Sequence, residues 1–588
     1  MTERRKHLFS LLLAFALVLG LPFPALAAGE TVAINETNFP DPAFRTYVAE
    51  RFDENEDHQL SQAERNDVQY IDVRGQDDSL GSITSLEGVE FFPNLEMLWC
   101  GYNRLSSLDL SGCSRLTYLN CEGNQINMLD VSGCKELETL ECKDNNLITL
   151  DVSNNTALVL LYCENNEIAE LDVSNAPSLQ QLFCYNNNLV SLDVSKNTAL
   201  DFLDCSSNKI ATLDVRNHDA LGVLICSENQ LTNLDISNNV ELSILDCTSN
   251  RITSLDVGGN LRLHNLFCSD NQLASLDVSK NTALTDLWCG GNQLTTLDVR
   301  MNAALTDLNC NANQLTSLDV SMNTALTSLS CSYNQLTTLD VSKNTALWYL
   351  GCNENQLTSL DLSNNTNLGK GLFEPYIGTS SYSISVNTNR TVDMSGLPGK
   401  FNVSKVSNLV GGTMKGNILT VEEGVTEVTY TYDTDSEYPL NVTLKISQDK
   451  PQEYDVVYRV YNPGNGKHHY TTDAAERDFL AANGWIYEGV AWYAPKEGAP
   501  IYRVYNPGND NHLYTMDAAE RDNLVAGGWV YEGILCYSAG TDGVPLYRVF
   551  NPYVTLNPHH YTDSLEECEF LKSNGWIVEG ISWYGLSK

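Results

Sequence analysis

The 588 residues carry 75 acidic against 35 basic side chains, a net charge of -40. So acidic a surface repels phosphate backbones and anionic lipid headgroups, leaving cations, basic proteins and neutral glycans as partner chemistry. The length suits three or four domains with separate cores.

The first 27 residues read as a secretory signal. Arg4, Arg5 and Lys6 precede a mostly apolar run from Phe9 to Leu21, too short to span a bilayer comfortably. Ala25-Leu26-Ala27 then offers small residues for cleavage. A membrane anchor is the competing reading, but no stop-transfer pattern follows. No cysteine follows the small residues, and there is no L-P-x-T-G-type motif with an apolar tail. The chain is expected to be exported, then free or held non-covalently.

Residues 28–94 are expected to form a small helical cap. Asp41-Pro42 starts a helix whose apolar face is Phe44, Tyr47, Val48 and Phe52. Asp53 to Glu64 then fits the calcium-loop pattern D-x-D/N-x-D/N-G-x5-E at all positions but one. Asp53, Asn55 and Asp57 supply side-chain oxygens and Gln59 a backbone carbonyl. Ser61 acts directly or through water, and Glu64 is bidentate. His58 stands where the pattern has glycine, at a position that needs an unusual backbone turn. The competing reading is a solvated acidic loop with Ser61 and Glu64 as a capping box. Calcium here would steady the cap. The segment resembles the cap that precedes the leucine-rich repeats of internalin-like bacterial proteins.

From Cys100 to Cys352, thirteen cysteines recur every 21 residues in the frame L-x-x-L-x-C-x-x-N-x-L/I-x-x-L-D-V/I/L. A unit this short buries its apolar residues only by stacking on its neighbours. Leu287 and Cys289, two apart, point inward on a strand, and Asn292 is expected to bond backbone inside the bend. Short extended or turn segments are predicted on the back. The frame resembles the leucine-rich-repeat family, with cysteine in place of a further leucine, and covers residues 95–369.

The cysteine column is read as core, since in-register neighbours on parallel strands have poor disulfide geometry. Cys113 and Cys134 replace a back-side asparagine in adjacent units and either pair or stay buried thiols. Asp109 to Asp361, one per unit, are read as turn formers that accept backbone amides two residues on; a calcium ladder is the sharper alternative. Residues that vary inside the fixed frame are Trp99, Tyr118, Tyr162, Phe183, Tyr185, Phe202, Phe267 and Trp288. Tyr162, Phe183, Tyr185 and Phe202 should form one patch on the concave face, and Phe267 with Trp288 a second. They are candidate contacts for a protein or sugar, or they stack only to stabilise the sheet.

Residues 370–450 lose the period and read as a β-sandwich-like spacer or immunoglobulin-like domain, with strands near Val425–Tyr432 and Leu440–Ile446. Residues 452–588 hold three units of about 45 residues. Each has Y-R-V-Y/F-N-P, H-x-Y-T, a helix start and G-W-x-x-E-G, read as strand, strand, helix, strand about a pseudo-threefold axis. His468, His512 and His559 either converge on a metal or stand apart, one per unit. Glu488, Glu532 and Glu579 repeat identically, as fold determinants do, whereas glycosidases need one acid pair. Tyr470, Tyr514 and Tyr561, with the three histidines, are the candidate glycan contacts. The pattern resembles an uncharacterised triple-repeat module of exported bacterial proteins, which implies targeting to wall or glycan.

The fold class expected is mainly β: solenoid, helical cap, sandwich-like spacer and α+β module. The function expected is an exported binding or adhesion protein, monomeric and not an enzyme, for no nucleophile elbow, H-E-x-x-H or singular acid pair appears. A cell-wall glycan hydrolase is the runner-up. A self-associating surface scaffold is the third reading.

Overall fold

The computed structural model describes residues 31–75, 82–448, 454–553 and 559–586; the signal-peptide segment 1–27 lies outside them. The chain divides into two compact units, the first ending at Ser447 and the second holding the C-terminal residues from Gln448 with the short stretch Val386–Asn389.

The helix of the cap runs Pro42–Phe52, with Asp41 accepting from the amides of Ala43 and Phe44. Phe44 and Val48 are buried, Phe44 edge to face on Phe39, whose ring also meets that of Phe92. The parallel sheet begins inside the cap, at Tyr70–Asp72, and continues through thirteen three-residue strands from Met97–Trp99 to Tyr349–Gly351, making fourteen in sequence order. Successive repeat strands pair residue for residue at the 21-residue offset, as Leu266 with Leu287. A strand only three residues long has one inward position. The middle leucine takes it and is fully buried in every repeat strand, while its two neighbours face outward.

Three further columns set the repeat. Each frame cysteine is fully buried, and all 17 cysteines of the chain are free. Each frame asparagine closes the bend: Asn292 donates through Nδ2 to the carbonyls of Cys268, Cys289 and Gly290 at 3.0–3.2 Å, and its Oδ1 accepts from Leu273 N at 2.9 Å. Each frame aspartate accepts from the amide two residues on, as Ser279 N to Asp277 Oδ1 at 2.9 Å. The residue two after each cysteine is left-handed, with φ between 48° and 64° across the stack, although glycine occupies it only at Gly123 and Gly291. The asparagine bonds to the adjoining carbonyl hold that otherwise costly turn.

A second asparagine column lies on the back, with Cys113, Cys134, Ala176 and His218 substituting in four units. Asn281 Nδ2 donates to Val257 O and Asn260 O, both at 2.9 Å. Cys113 and Cys134 are buried free thiols in adjacent turns, not a disulfide. Burial raises the ladder thiols, Cys247 (with a contribution from Asp246) and Cys310 to about 12. A thiol reagent is therefore expected to label native protein only slowly and all 17 cysteines after denaturation. Rapid stoichiometric labelling of native protein would contradict the ladder as a sealed core.

After the solenoid come a four-stranded sheet (Thr379–Val386, Leu440–Gln448, Glu427–Tyr432, Val406–Val410) and a three-stranded sheet (Thr391–Asp393, Ile418–Val421, Gly412–Lys415). They close the open end of the repeat stack: Leu362 N donates to Thr434 O, and Tyr430 Oη to Thr358 O at 2.9 Å.

The second unit repeats strand, strand, helix, strand three times. In each, the first strand is central and antiparallel to both others. Asp473, Asp517 and Ser564 cap the helices Ala474–Ala482, Ala518–Ala526 and Leu565–Ser573. The second glycine of each G-W-x-x-E-G has φ of 111–115°, beside a register shift of the long strand. Glycine is needed there for its backbone, since no atom crowds the place a Cβ would take.

Candidate binding face and C-terminal module

The outward residues of the repeat strands form one open face. Tyr162, Phe183 and Phe202 stack in file, with ring centroids 4.6 and 4.5 Å apart and interplanar angles of 10° and 26°. Tyr185 lies in the next column of the same face, half-buried. Leu160, Val223, Ile225 and Ile244, also half-buried, extend the apolar area on both sides. Phe267 and Trp288 pair at 4.9 Å, and Trp288 is 43% exposed and donates to Asp307. Trp99 and Tyr118 pair at 5.5 Å nearer the cap. Of the eight aromatics expected on this face, seven are outer residues of the repeat strands, in three groups, and Tyr185 follows the end of its strand.

The sequence reading passed over the carboxylates between these groups. Tyr118 and Asn120 both donate to Glu141, and burial together with that carboxylate pushes the Tyr118 phenol up to about 12. Lys143 sits 3.1 Å from Glu122 and 3.9 Å from Glu164. Glu164 is only 3% exposed, its Oε2 has no hydrogen-bond partner, and burial pushes its carboxyl up to about 7. Burial likewise raises Asp204 and Asp307. Glu164 occupies the column of Tyr185, one residue after the cysteine; that shared offset was the available signal.

In the cap loop, Asp53 accepts from the amides of Asp57 and His58, Asn55 from Asp57, and Asp57 from Gln59. Ser61 and Glu64 form a capping box. His58 takes φ of 61°, the turn the pattern assigns to glycine. The loop oxygens are thus engaged with backbone amides, and among the described residues no group of three or more His, Cys, Asp or Glu side chains is arranged to hold a metal ion.

In the second unit the tyrosine reading is corrected. Tyr470, Tyr514 and Tyr561 are 1–2% exposed and meet on the threefold axis, edge to face at 5.5–5.8 Å. Each hydroxyl donates to the next ring's backbone carbonyl in a closed circle: Tyr470 to Tyr561 (2.7 Å), Tyr561 to Tyr514 (2.7 Å) and Tyr514 to Tyr470 (3.2 Å). Rings so buried cannot stack on a sugar; apolar burial and satisfied hydroxyls make them the module's core.

The three histidines stand apart, at 3.0–3.5 Å from Glu488, Glu532 and Glu579 of their own repeats. Burial pushes His468 and His512 down to about 3, so both are neutral at pH 7. Those glutamates also pair with Arg459, Arg503 and Arg548, and each arginine reaches a helix glutamate of another repeat, Glu567, Glu476 and Glu520. Repeated glutamate and arginine thus stitch the three units into a ring. Outside it, Ile486 and Tyr487, Val530 and Tyr531, and Ile577 are exposed at equivalent positions.

The stacked repeats define a leucine-rich-repeat protein, and the family profile described as leucine-rich repeats (2 copies) matches residues 93–133. The functional domain of InlJ from Listeria monocytogenes, whose description includes a cysteine ladder, is 32% identical, with 72% of this chain and 100% of that chain covered at a TM-score of 0.60. The chain belongs to the internalin-like leucine-rich-repeat family. An internalin (inlF) of Listeria monocytogenes (24% identical, 60% of this chain and 98% of that one, TM-score 0.47) also matches. So does a leucine-rich-repeat protein of Leptospira interrogans (24% identical, 54% and 90%, TM-score 0.45). Residues 456–586 match a domain of unknown function, DUF5648. Comparison with curated proteins gives no match. Among the described residues no helix is long and apolar enough to cross a membrane.

Proposed function

We propose that this is an exported binding protein that adheres through two places: the open sheet face of the solenoid holds a macromolecular partner, and the C-terminal module docks on a cell wall or glycan. The observation that carries it is the Tyr162–Phe183–Phe202 stack. The repeat frame already satisfies its own backbone and core through leucine, cysteine, asparagine and aspartate, so it has no need of a row of half-exposed rings. Aromatic rings with apolar neighbours are what protein contact sites concentrate. Alanine at Phe183, Phe202 and Trp288 is expected to remove adhesion of protein-coated beads to cells.

The module is tested separately. The full chain is expected to sediment with insoluble cell walls, and Tyr487→Ala with Tyr531→Ala to return it to the supernatant by weakening two of the three equivalent exposed patches. A wild-type chain that stays in solution removes the docking role and leaves the solenoid's role standing.

Calcium at the cap loop is a further proposal, supported by the ligand pattern and the left-handed His58. Calcium is expected to raise the melting temperature relative to chelator, and His58→Gly to enlarge that rise by relieving the turn. Identical melts with and without calcium in both proteins would dispose of the site.

A further inference from the structure

The middle of the sheet face has an unfinished electrostatic arrangement. Glu164 is almost wholly enclosed, yet its Oε2 has no donor. An enclosed carboxylate oxygen without a donor is costly, and structures retain such groups mainly where something else completes them. The cation at hand does not do so: Lys143 lies 3.1 Å from Glu122 and 3.9 Å from Glu164 Oε1. Beside Glu164 in the same column stands Tyr185, and two residues before Tyr185, at the end of the strand Gln181–Phe183, stands Phe183, whose register partner on the next strand is Asp204. Two carboxylates, one on each of the turns either side, therefore flank a pair of aromatic side chains.

We propose that this cluster, Glu164, Asp204, Phe183 and Tyr185, receives an arginine side chain of a protein partner, with the guanidinium lying over the rings and donating to Glu164 Oε2, which Lys143 leaves without a partner. This rests on the sheet-face reading and names its partner chemistry. A guanidinium is planar, stacks on aromatic faces and carries several forked donors for carboxylates. A lysine ammonium lacks both the plane and the fork. The acidity of the chain draws such a partner in, and the flanking aliphatics Leu160, Val223 and Ile225 receive the apolar residues beside the arginine.

The probe is a hexa-arginine peptide titrated into the full chain by calorimetry, with hexa-citrulline as its neutral isostere. Wild type is expected to bind the first and not the second. Glu164→Gln keeps the shape and is expected to weaken binding about tenfold, the loss of one charge-assisted bond. Asp204→Asn should weaken it less, and Lys143→Met should strengthen it. The control is Glu423→Gln with Glu437→Gln, two exposed carboxylates outside the solenoid, expected to change nothing.

A pH series adds an independent reading. The charged groups around Glu164 are Lys143, Asp144 and Asp204, and burial holds its carboxyl up at about 7. The guest needs the carboxylate, so affinity should fall below pH 7 and level off near the about tenfold loss expected for Glu164→Gln, and this dependence should vanish in Glu164→Gln.

Equal binding of the two peptides, unchanged affinity in Glu164→Gln, or an equal loss in the distant control would overturn the arginine site. Cell adhesion that still depends on Phe183, Phe202 and Trp288 would then leave the sheet-face reading intact. Adhesion indifferent to all three would sink that reading instead.

Discussion

Replacing Asn250 by alanine is expected to destabilise the solenoid by about 3 kcal/mol, and by aspartate more than that. Asn250 Nδ2 donates to Cys226 O, Cys247 O and Thr248 O at 3.0–3.3 Å, and Oδ1 accepts from Leu231 N at 2.9 Å. The three carbonyls keep other partners, Cys226 O from Asn229 Nδ2, Cys247 O from Asn271 Nδ2 and Thr248 O from Glu228 N, but Leu231 N loses its side-chain acceptor. Alanine therefore loses the bonds, orphans one buried amide and frees the left-handed Ser249 turn. Aspartate keeps the Leu231 bond and sets a buried negative charge against three carbonyl oxygens, the costlier arrangement. Its deficit should shrink as pH falls and the carboxyl takes a proton. Urea unfolding of both variants reads this order; an alanine variant as stable as wild type would show that the ladder does not hold the turns.

The second large effect is expected at the tyrosine circle. Tyr470→Phe removes the donor to Tyr561 O and the acceptor of Tyr561 N, which lies 3.3 Å from the hydroxyl. Leaving that buried amide unpaired should cost about 2 kcal/mol. Tyr470→Ala also empties a ring's volume between Tyr514, Tyr561 and Trp492, and such cavities cost about 3–5 kcal/mol, enough to melt a small module. Trp492 and Trp583 report the change by fluorescence, since they pack on Tyr470 and Tyr561. A fully folded Tyr470→Ala protein deficient only in glycan retention would restore the surface role that burial rules out.

The solenoid was legible because its period is a spatial rule: every 21 residues the same side chain meets its own copy one strand over. Leucine, cysteine, asparagine and aspartate each showed their place by recurring in it. The left-handed turn two residues after each cysteine did not, because Ser207, Glu228 and Ala312 carry no turn signature and the asparagine's bonds, not the residue's own preference, impose it. Aromatics on the sheet face stood out against a fixed frame; Glu164 did not, since an acidic residue in an acidic protein looks like solvated surface until its burial is known. In the triple repeat, strand and helix order could be read from caps and glycines. Which side of a hairpin faces the axis could not, because a tyrosine beside a histidine is amphipathic on either side. The axis won because three hydroxyls close a circle there and leave none of the three unpaired.

The most direct measurement compares two alanine variants of the full chain in bead adhesion to intact cells, with folding checked by circular dichroism. One changes Tyr162, Phe183, Phe202 and Trp288 on the sheet face; the other changes Met128, Met301 and Met322, which are exposed outside the strands. The account expects the first to lose at least about tenfold in bound beads, as loss of clustered interface anchors does, and the second to adhere like wild type. Undiminished adhesion of the sheet-face variant, or an equal loss in the methionine variant, would contradict it.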